Sequence, residues 1–443
     1  MYNKGKIKTY ELTLEILTPI HIGTGEKLKK GFDYIVKNGK PFVVNKSATY
    51  DLIAEKGKHD DERLFDKNFK IQDIVEIAQK EIGYLLKPIS GFKEHEISEC
   101  IKNAYLKPYI PGSSLKGAIR TALLGTILYN NEDEFKKFFL TNNKNKSFAD
   151  KFLIKALFGS EPKNDILRAF KVADVLFPAN PELVLAEFKV DNIYKSSVQT
   201  LYVEAINKGQ FGTFSLTWDE FLLSNIDKWN DSNIKNIFPS NYNELCKLIN
   251  DYSIKYLEKE IQFYNQGQKR EIESNLKSLL EKIKADNNDN VSKAYIQMSW
   301  GAGWRNKTGN WLEKYLLDIR KQYKLGKGEG FFPRTRRLII KNQSAQTPGW
   351  ICISSEPVKI KPQKKSCPWV DDTIDQLCDK HNSKPDDILR GKTLANEWVK
   401  ISDNEIKKQA LEDIINKWKE KGWMDAKPTG SFKKAQKTYG IIS

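Results

Sequence analysis

Between Tyr10 and Ile16 apolar and polar residues alternate without a break, with Tyr10, Leu12, Leu14 and Ile16 on one side and Glu11, Thr13 and Glu15 on the other. Side chains of an extended chain point to opposite faces in turn, so this segment predicts a strand with one face buried. Such a strand needs a second layer to cover its apolar face. Residues 108–129, PYIPGSSLKGAIRTALLGTILY, offer that layer. Pro111-Gly112 breaks what precedes, and Ser113 or Ser114 is suited to cap a helix. Leu115, Ala118, Ile119, Ala122, Leu123 and Ile127 then recur at helical spacing and predict one buried face. The expected class is α+β.

Other elements follow the same logic. Tyr34-Ile35-Val36 and Phe42-Val43-Val44 flank Asn38-Gly39, a pair that suits the positive φ of a tight hairpin. Residues 47–106 read mainly as helices and polar connections. Phe170 to Asp174 predicts a short strand, and 201–206 with 214–218 predict a second hairpin around 207–212. From 225 to 293 glycine is almost absent and apolar residues such as Tyr256, Tyr264, Leu276, Leu280 and Ile283 follow helical spacing, which predicts a helical insertion or lobe. Strands resume near Tyr295, at 338–340 and at 350–353, around a glycine-rich loop at 301–309. Past the polar linker KIKPQKKS, Ile406, Ala410, Leu411, Ile414, Ile415 and Trp418 form an amphipathic stripe closed by Gly422. The expected organisation is a core in two parts, 1–224 and 294–360, with a helical insertion at 225–293 and a helical C-terminal extension at 367–443.

Of the 443 residues 40% are hydrophobic, too many for a disordered chain, yet no uninterrupted apolar run approaches the roughly 18 residues a membrane span needs. The N-terminus lacks the apolar stretch of a signal peptide, so a cytoplasmic protein without membrane contact is expected. Five scattered cysteines fit reduced thiols better than a disulfide framework. The charge is more telling: 73 Lys+Arg against 57 Asp+Glu leave +16, which points to a polyanionic partner.

Three segments could meet such a partner. The first N–H groups of the helix near 114 lack intrahelical acceptors and lie at its positive end, which suits phosphate. Gly112, Ser113 and Ser114 sit there, and Lys116 and Arg120 are four residues apart on what reads as an exposed face. The loop HIGTGEKLKK carries His21, Gly23, Gly25 and Lys27, without the spacing of a nucleotide-binding fingerprint. The third segment joins Gly301, Gly303, Trp304, Arg305 and Lys307 to Arg334, Arg336 and Arg337, with Trp311, Tyr323, Phe331 and Phe332 interleaved. Cations that follow phosphates beside aromatic faces that stack on bases suit single-stranded nucleic acid. Solvated lysines and core aromatics are the plainer account of each segment alone. No cofactor is expected and no metal site: Cys378 and His381 have ligand-like spacing, but they fall on the apolar stripe of Ile374 and Leu377 and lack a fourth ligand.

Taken together and in order, LTPIHIGTGE, the hairpin, YIPGSSLKGAIRTALL, LFGS, KVADVLF and GAGW resemble the RAMP superfamily of CRISPR RNA-binding proteins. Within it the opening looks most like the fifth-subunit family of type III-A (Csm) effector complexes. The resemblance covers roughly residues 7–355; PGSSLKGAIR is its most specific part, and the tail stays unmatched. It implies a ferredoxin-like, RRM-type RAMP domain with large helical insertions. It also implies a non-catalytic crRNA-binding subunit that caps the backbone near the crRNA 3′ end, supports crRNA maturation and antiviral defence, and has other Csm subunits and host nucleases as partners. The motif positions it carries over are His21, Gly23, Gly25, Gly112, Ser113, Ser114, Lys116, Arg120, Gly301 and Gly303. The alternative is a catalytic RAMP endoribonuclease, slicing target RNA through Asp33 or processing crRNA precursor with a base such as His21.

Overall fold

The computed structural model describes residues 7–37, 39–78, 82–90, 92–93, 96–140, 151–178, 181–193, 195–231, 238–287, 291–309, 313–326, 332–341, 344–356, 367–381, 383–424 and 430–441. The chain divides into two compact units, Met1–Val358 and Lys359–Ser443.

In the first unit the alternating segment is a strand, Ile7–Ile16, at the centre of a five-stranded antiparallel sheet. The order is Lys293–Gln297, Trp350–Ser354, Ile7–Ile16, Phe211–Asp219 and Phe170–Val172. Leu12, Leu14 and Ile16 are buried, as the alternation predicts. They pack under Leu115, Ile119, Leu123 and Ile127 of the helix Gly112–Asn130. The helix Tyr242–Gln266 adds Tyr242, Leu245, Ile249 and Tyr252 to this same core, so it is built into the main unit. Its far end packs with the helix Arg270–Asp286 around Leu257, Leu276 and Ile283.

A second sheet runs in the order Ser344–Gln346, Thr335–Lys341, Leu183–Asn192, Lys195–Ile206, Ile97–Cys100 and Gly23–Leu28, with Lys87–Pro88 added beside Leu183–Asn192. The hairpin expected around 207–212 does not form. Lys195–Ile206 pairs with Leu183–Asn192, whereas Phe211–Asp219 pairs with Ile7–Ile16 in the other sheet. The turn at Gly209 (φ +79°) hands the chain between the sheets. Turn chemistry fixes a reversal, but the strands flanking it find the partners that bury their apolar faces.

The hairpin near 38 is present: Tyr34–Lys37 and Lys40–Val44 pair with Lys37 opposite Lys40, Gly39 takes φ +71°, and Asn38 lies outside the described residues. A third strand, Gly83–Leu85, joins them, although this stretch was expected to be helix or connection. Gly83 explains the pairing, since a Cβ there would sit 2.0 Å from the Val43 carbonyl oxygen. Helices in this stretch are Lys46–Glu55 and Ile71–Ala78.

The second unit is helical. The stripe at 406–418 lies on the helix Asn404–Glu420, which Asp403 caps by accepting from the N–H groups of Glu405 and Ile406 at 2.8 and 3.0 Å. Ala410, Ile414 and Trp418 are buried among Val370, Leu394 and Phe432. Among the described residues no helix is long and apolar enough to cross a membrane, and no cluster of His, Cys, Asp and Glu could hold a metal ion.

Candidate nucleic-acid interface

The three candidate segments, far apart in sequence, meet at one cleft. Ile22 and Gly23 of the first loop, Ser114, Gly117, Ala118 and Thr121 of the long helix, and Trp300, Ala302, Asn306 and Lys307 of the late loop line a cavity of about 360 Å³.

The helix meets it differently from expectation. Pro111, not a serine, is the N-cap, and among the described residues no side chain caps there. The Gly112 N–H donates instead to Asp174 Oδ1 at 2.7 Å, so a carboxylate of the chain already occupies the positive end. Gly112 is required by packing: a Cβ would lie 2.2 Å from the Val172 carbonyl oxygen. Lys116 donates to the carbonyls of Leu167 and Phe170 at 2.8 and 2.7 Å, and burial holds its pKa below the ordinary lysine value. Arg120 stacks over Phe158 at 4.6 Å and lies 3.6 Å from Asp165. The expected exposed face of Lys116 and Arg120 is thus turned onto residues 158–170. Ser113 is exposed, and the face on the cleft is Ser114, Gly117, Ala118 and Thr121. Helical spacing told which residues share a face; it could not tell that the flank beside the buried face is covered as well.

In the first loop His21 is buried, and its Nδ1 lies 2.7 Å from the Glu204 backbone carbonyl oxygen. Burial, with Lys102 nearby, lowers its pKa to about 4 against that hydrogen bond, so the ring is neutral and packed. Gly23 is needed because a Cβ would come within 2.8 Å of His21 Nε2, and Gly25 takes φ +96°. Lys27 is exposed and pairs with Glu96 at 2.7 Å.

In the third segment Gly301 leaves room for the Phe188 ring, and Gly303 takes φ +86°. Trp304 packs edge-on against Phe332 with centroids 4.9 Å apart. Arg305 is buried, Lys307 is exposed on the cleft, and Arg334 is exposed. Tyr323 belongs to the core; Trp311 and Phe331 lie outside the described residues. Arg336 and Arg337 are adjacent on the strand Thr335–Lys341 and therefore face opposite ways. Arg336 is buried, bonded to Glu260 through Nε and Nη2 at 2.6 and 2.8 Å. Burial opposes its charge, the carboxylate outweighs burial, and its pKa is raised. Arg337 lies over the Trp300 ring at 4.5 Å. Of the four arginines of this segment expected to contact a polyanion, Arg305 and Arg336 are buried, and Arg336 is held by Glu260.

Asp33 does not project as a loop carboxylate. Its oxygens accept from the Lys29 N–H at 2.8 Å and from Lys46 Nζ at 2.6 Å, which closes the turn before the hairpin.

Sequence reasoning missed the buried group beneath the first loop. Glu204 accepts from the Tyr84 hydroxyl at 2.6 Å, the Cys100 N–H at 2.9 Å and Lys102 Nζ at 2.6 Å. The Cys100 thiol, buried beside this carboxylate, is pushed up to about 12 and stays protonated. The signal was an acid inside the apolar run LYVEAI, which burial makes costly unless a cation meets it. Gly117 and Trp300 were missed as well.

A family model described as RAMP superfamily matches residues 13–306. The protein "CRISPR system Cms protein Csm5" of Methanocaldococcus jannaschii is 26% identical over 393 residues, covering 77% of this chain and 88% of the relative. The protein of the same name from Streptococcus thermophilus is 30% identical over 210 residues, which span 42% of this chain and 56% of that protein. A chain of the cryo-EM structure of a Csm-crRNA-target RNA ternary complex in a type III-A CRISPR-Cas system shares the fold at TM-score 0.57 and 24% identity, over 78% of this chain and 100% of that one. The crystal structure of T. onnurineus Csm5 does so at TM-score 0.53 and 21% identity, over 76% and 99%. The motifs in their order, the cleft they form and these matches agree: the chain belongs to the RAMP superfamily.

Proposed function

We propose that this protein is a crRNA-binding subunit of a type III-A Csm effector complex, and that it holds RNA rather than cutting it. The observation that carries this reading is the convergence of three remote glycine-containing segments on one cleft with Lys307 at its wall. The names of its curated relatives and the complex that shares its fold support the same assignment. The finer parts of the reading are a position that caps the backbone near the crRNA 3′ end and a part in crRNA maturation with host nucleases. The structural part is a ferredoxin-like core, to which the order Trp350–Ser354, Ile7–Ile16, Phe211–Asp219, Phe170–Val172 lends support, since a βαββαβ unit places its fourth, first, third and second strands so. We read Lys359–Ser443 as an extension of that core.

RNA contacts then fall to Lys307, Arg334, Arg337 and the backbone around Gly23, Gly25 and Gly303. Neither residue that the catalytic alternative would need is poised to act: His21 is buried and neutral, and Asp33 is tied to Lys46. The test is purification of the tagged protein from cells carrying the remaining complex, with identification of bound proteins and small RNAs, and filter binding of the protein alone to labelled single-stranded RNA. Co-purifying Csm subunits and guide RNA, with affinity that falls steeply with salt and varies little with sequence, is the expected result. Absence of both, or RNA cleavage abolished by Asp33→Ala, overturns it.

A further inference from the structure

Where the long helix lines the cleft it presents a glycine that the chain itself does not require. A Cβ on Gly112 or Gly301 would collide with neighbours, but one on Gly117 would meet nothing within 4 Å among the described residues. Glycine within a helix is less favourable than alanine, so its bare surface serves something outside the chain. Facing the same cavity is Trp300, 41% exposed despite its size, with the Arg337 guanidinium over its ring. Arg337 Nε is buried and has no hydrogen-bond partner among the described residues. Lys307 is near enough to Arg337 for the two charges to repel, and no carboxylate offsets either of them among the described residues. Gln297, 4% exposed, also lines the cavity. Its Nε2 donates to the Pro348 carbonyl at 2.8 Å, which sets the amide's orientation and leaves Oε1 an acceptor without partner among the described residues.

We infer, building on the RNA-binding reading above, that this cleft takes one unpaired nucleobase of the bound RNA, stacked on Trp300. Its sugar–phosphate passes over Gly117, and its phosphate faces Lys307 and Arg337. The phosphate supplies the counter-charge that the two cations lack. A cavity of about 360 Å³ suits a single nucleotide. Every RNA base has a π-face for Trp300 and an N–H donor on some edge for Gln297, so the slot fixes the strand's register without selecting a sequence.

The full-length protein and single-stranded RNA carrying 2-aminopurine at successive positions test this, with fluorescence quenching, filter-binding affinity and melting temperature measured for each variant. The wild type quenches the probe most at one position of the bound strand. Trp300→Ala relieves that quenching and weakens binding about tenfold, while Trp300→Phe retains most of both. Gly117→Ala raises the melting temperature yet weakens binding about tenfold, because the added methyl occupies the RNA's contact layer. Wild-type quenching and affinity in both Trp300→Ala and Gly117→Ala overturn the slot and leave the RNA-binding reading standing. A wild type that binds no RNA overturns both.

Discussion

Glu204 has no solvent exposure and Lys102 almost none, and their contact at 2.6 Å lies under the loop that carries His21. Removing one member of such a pair strands the other charge in the interior. Glu204→Gln should destabilise the first unit by about 3–5 kcal/mol in urea denaturation. Adding Lys102→Met should recover most of the loss, because the stranded ammonium goes with it. His21 adds a pH dependence. Its folded pKa of about 4 lies below the ordinary 6.5, so the unfolded chain binds the extra proton between these values and stability falls as pH drops through that window. The contribution saturates near about 3 kcal/mol below pH 4, and His21→Asn should remove it, read as a smaller gap between urea midpoints at pH 7 and pH 4.5. Little of this was legible in the chain. Residue types announced cations and a histidine, whereas Glu260 and Glu204, which decide what Arg336 and Lys102 do, come from segments 76 and 102 residues away.

At the scale of the element, the helix Gly112–Asn130 shows which part of a sequence reading survives folding. Its buried stripe was readable because the sheet strand beneath it demanded an apolar partner. Its covered flank was not, since residues 158–170 meet Lys116 through backbone carbonyls, which carry no sequence signature, and Arg120 through Phe158 and Asp165 of a separate segment. The consequence differs for the two basic residues. Lys116→Met leaves two carbonyls without their donor and should cost about 1–3 kcal/mol. Arg120→Met, losing a loose pair at 3.6 Å that is partly exposed, should cost less than about 1 kcal/mol. Thermal melts of the two variants separate these outcomes. Gly112→Ala should be harsher than either, because the obstructing atoms are strand backbone and cannot rotate away.

At the scale of the whole molecule, each unit has its own apolar core. Among the described residues, the cluster around Val370, Leu394, Ile414 and Trp418 draws on residues 367–441, and the clusters around the sheets draw on the first unit. A fragment ending at Val358 should therefore fold and melt cooperatively, within about 2–4 °C of the first transition of the full chain. Loss of that transition would show that the second unit is required for the first. The arrangement of strands in two sheets was not readable from the chain, because alternation names a strand's faces without naming its neighbours. One such face has a further consequence. Arg336 and Arg337 are identical side chains given opposite environments solely by the parity of their positions. Inserting a single residue ahead of Thr335 would carry Arg336 into the place of Arg337 over Trp300 and set Thr335 opposite Glu260, leaving that buried carboxylate without its cation. The pair acts as a frame-keeper for its strand, because a slip by one would strand Glu260 and turn Leu338 and Ile339 out of the faces that bury them.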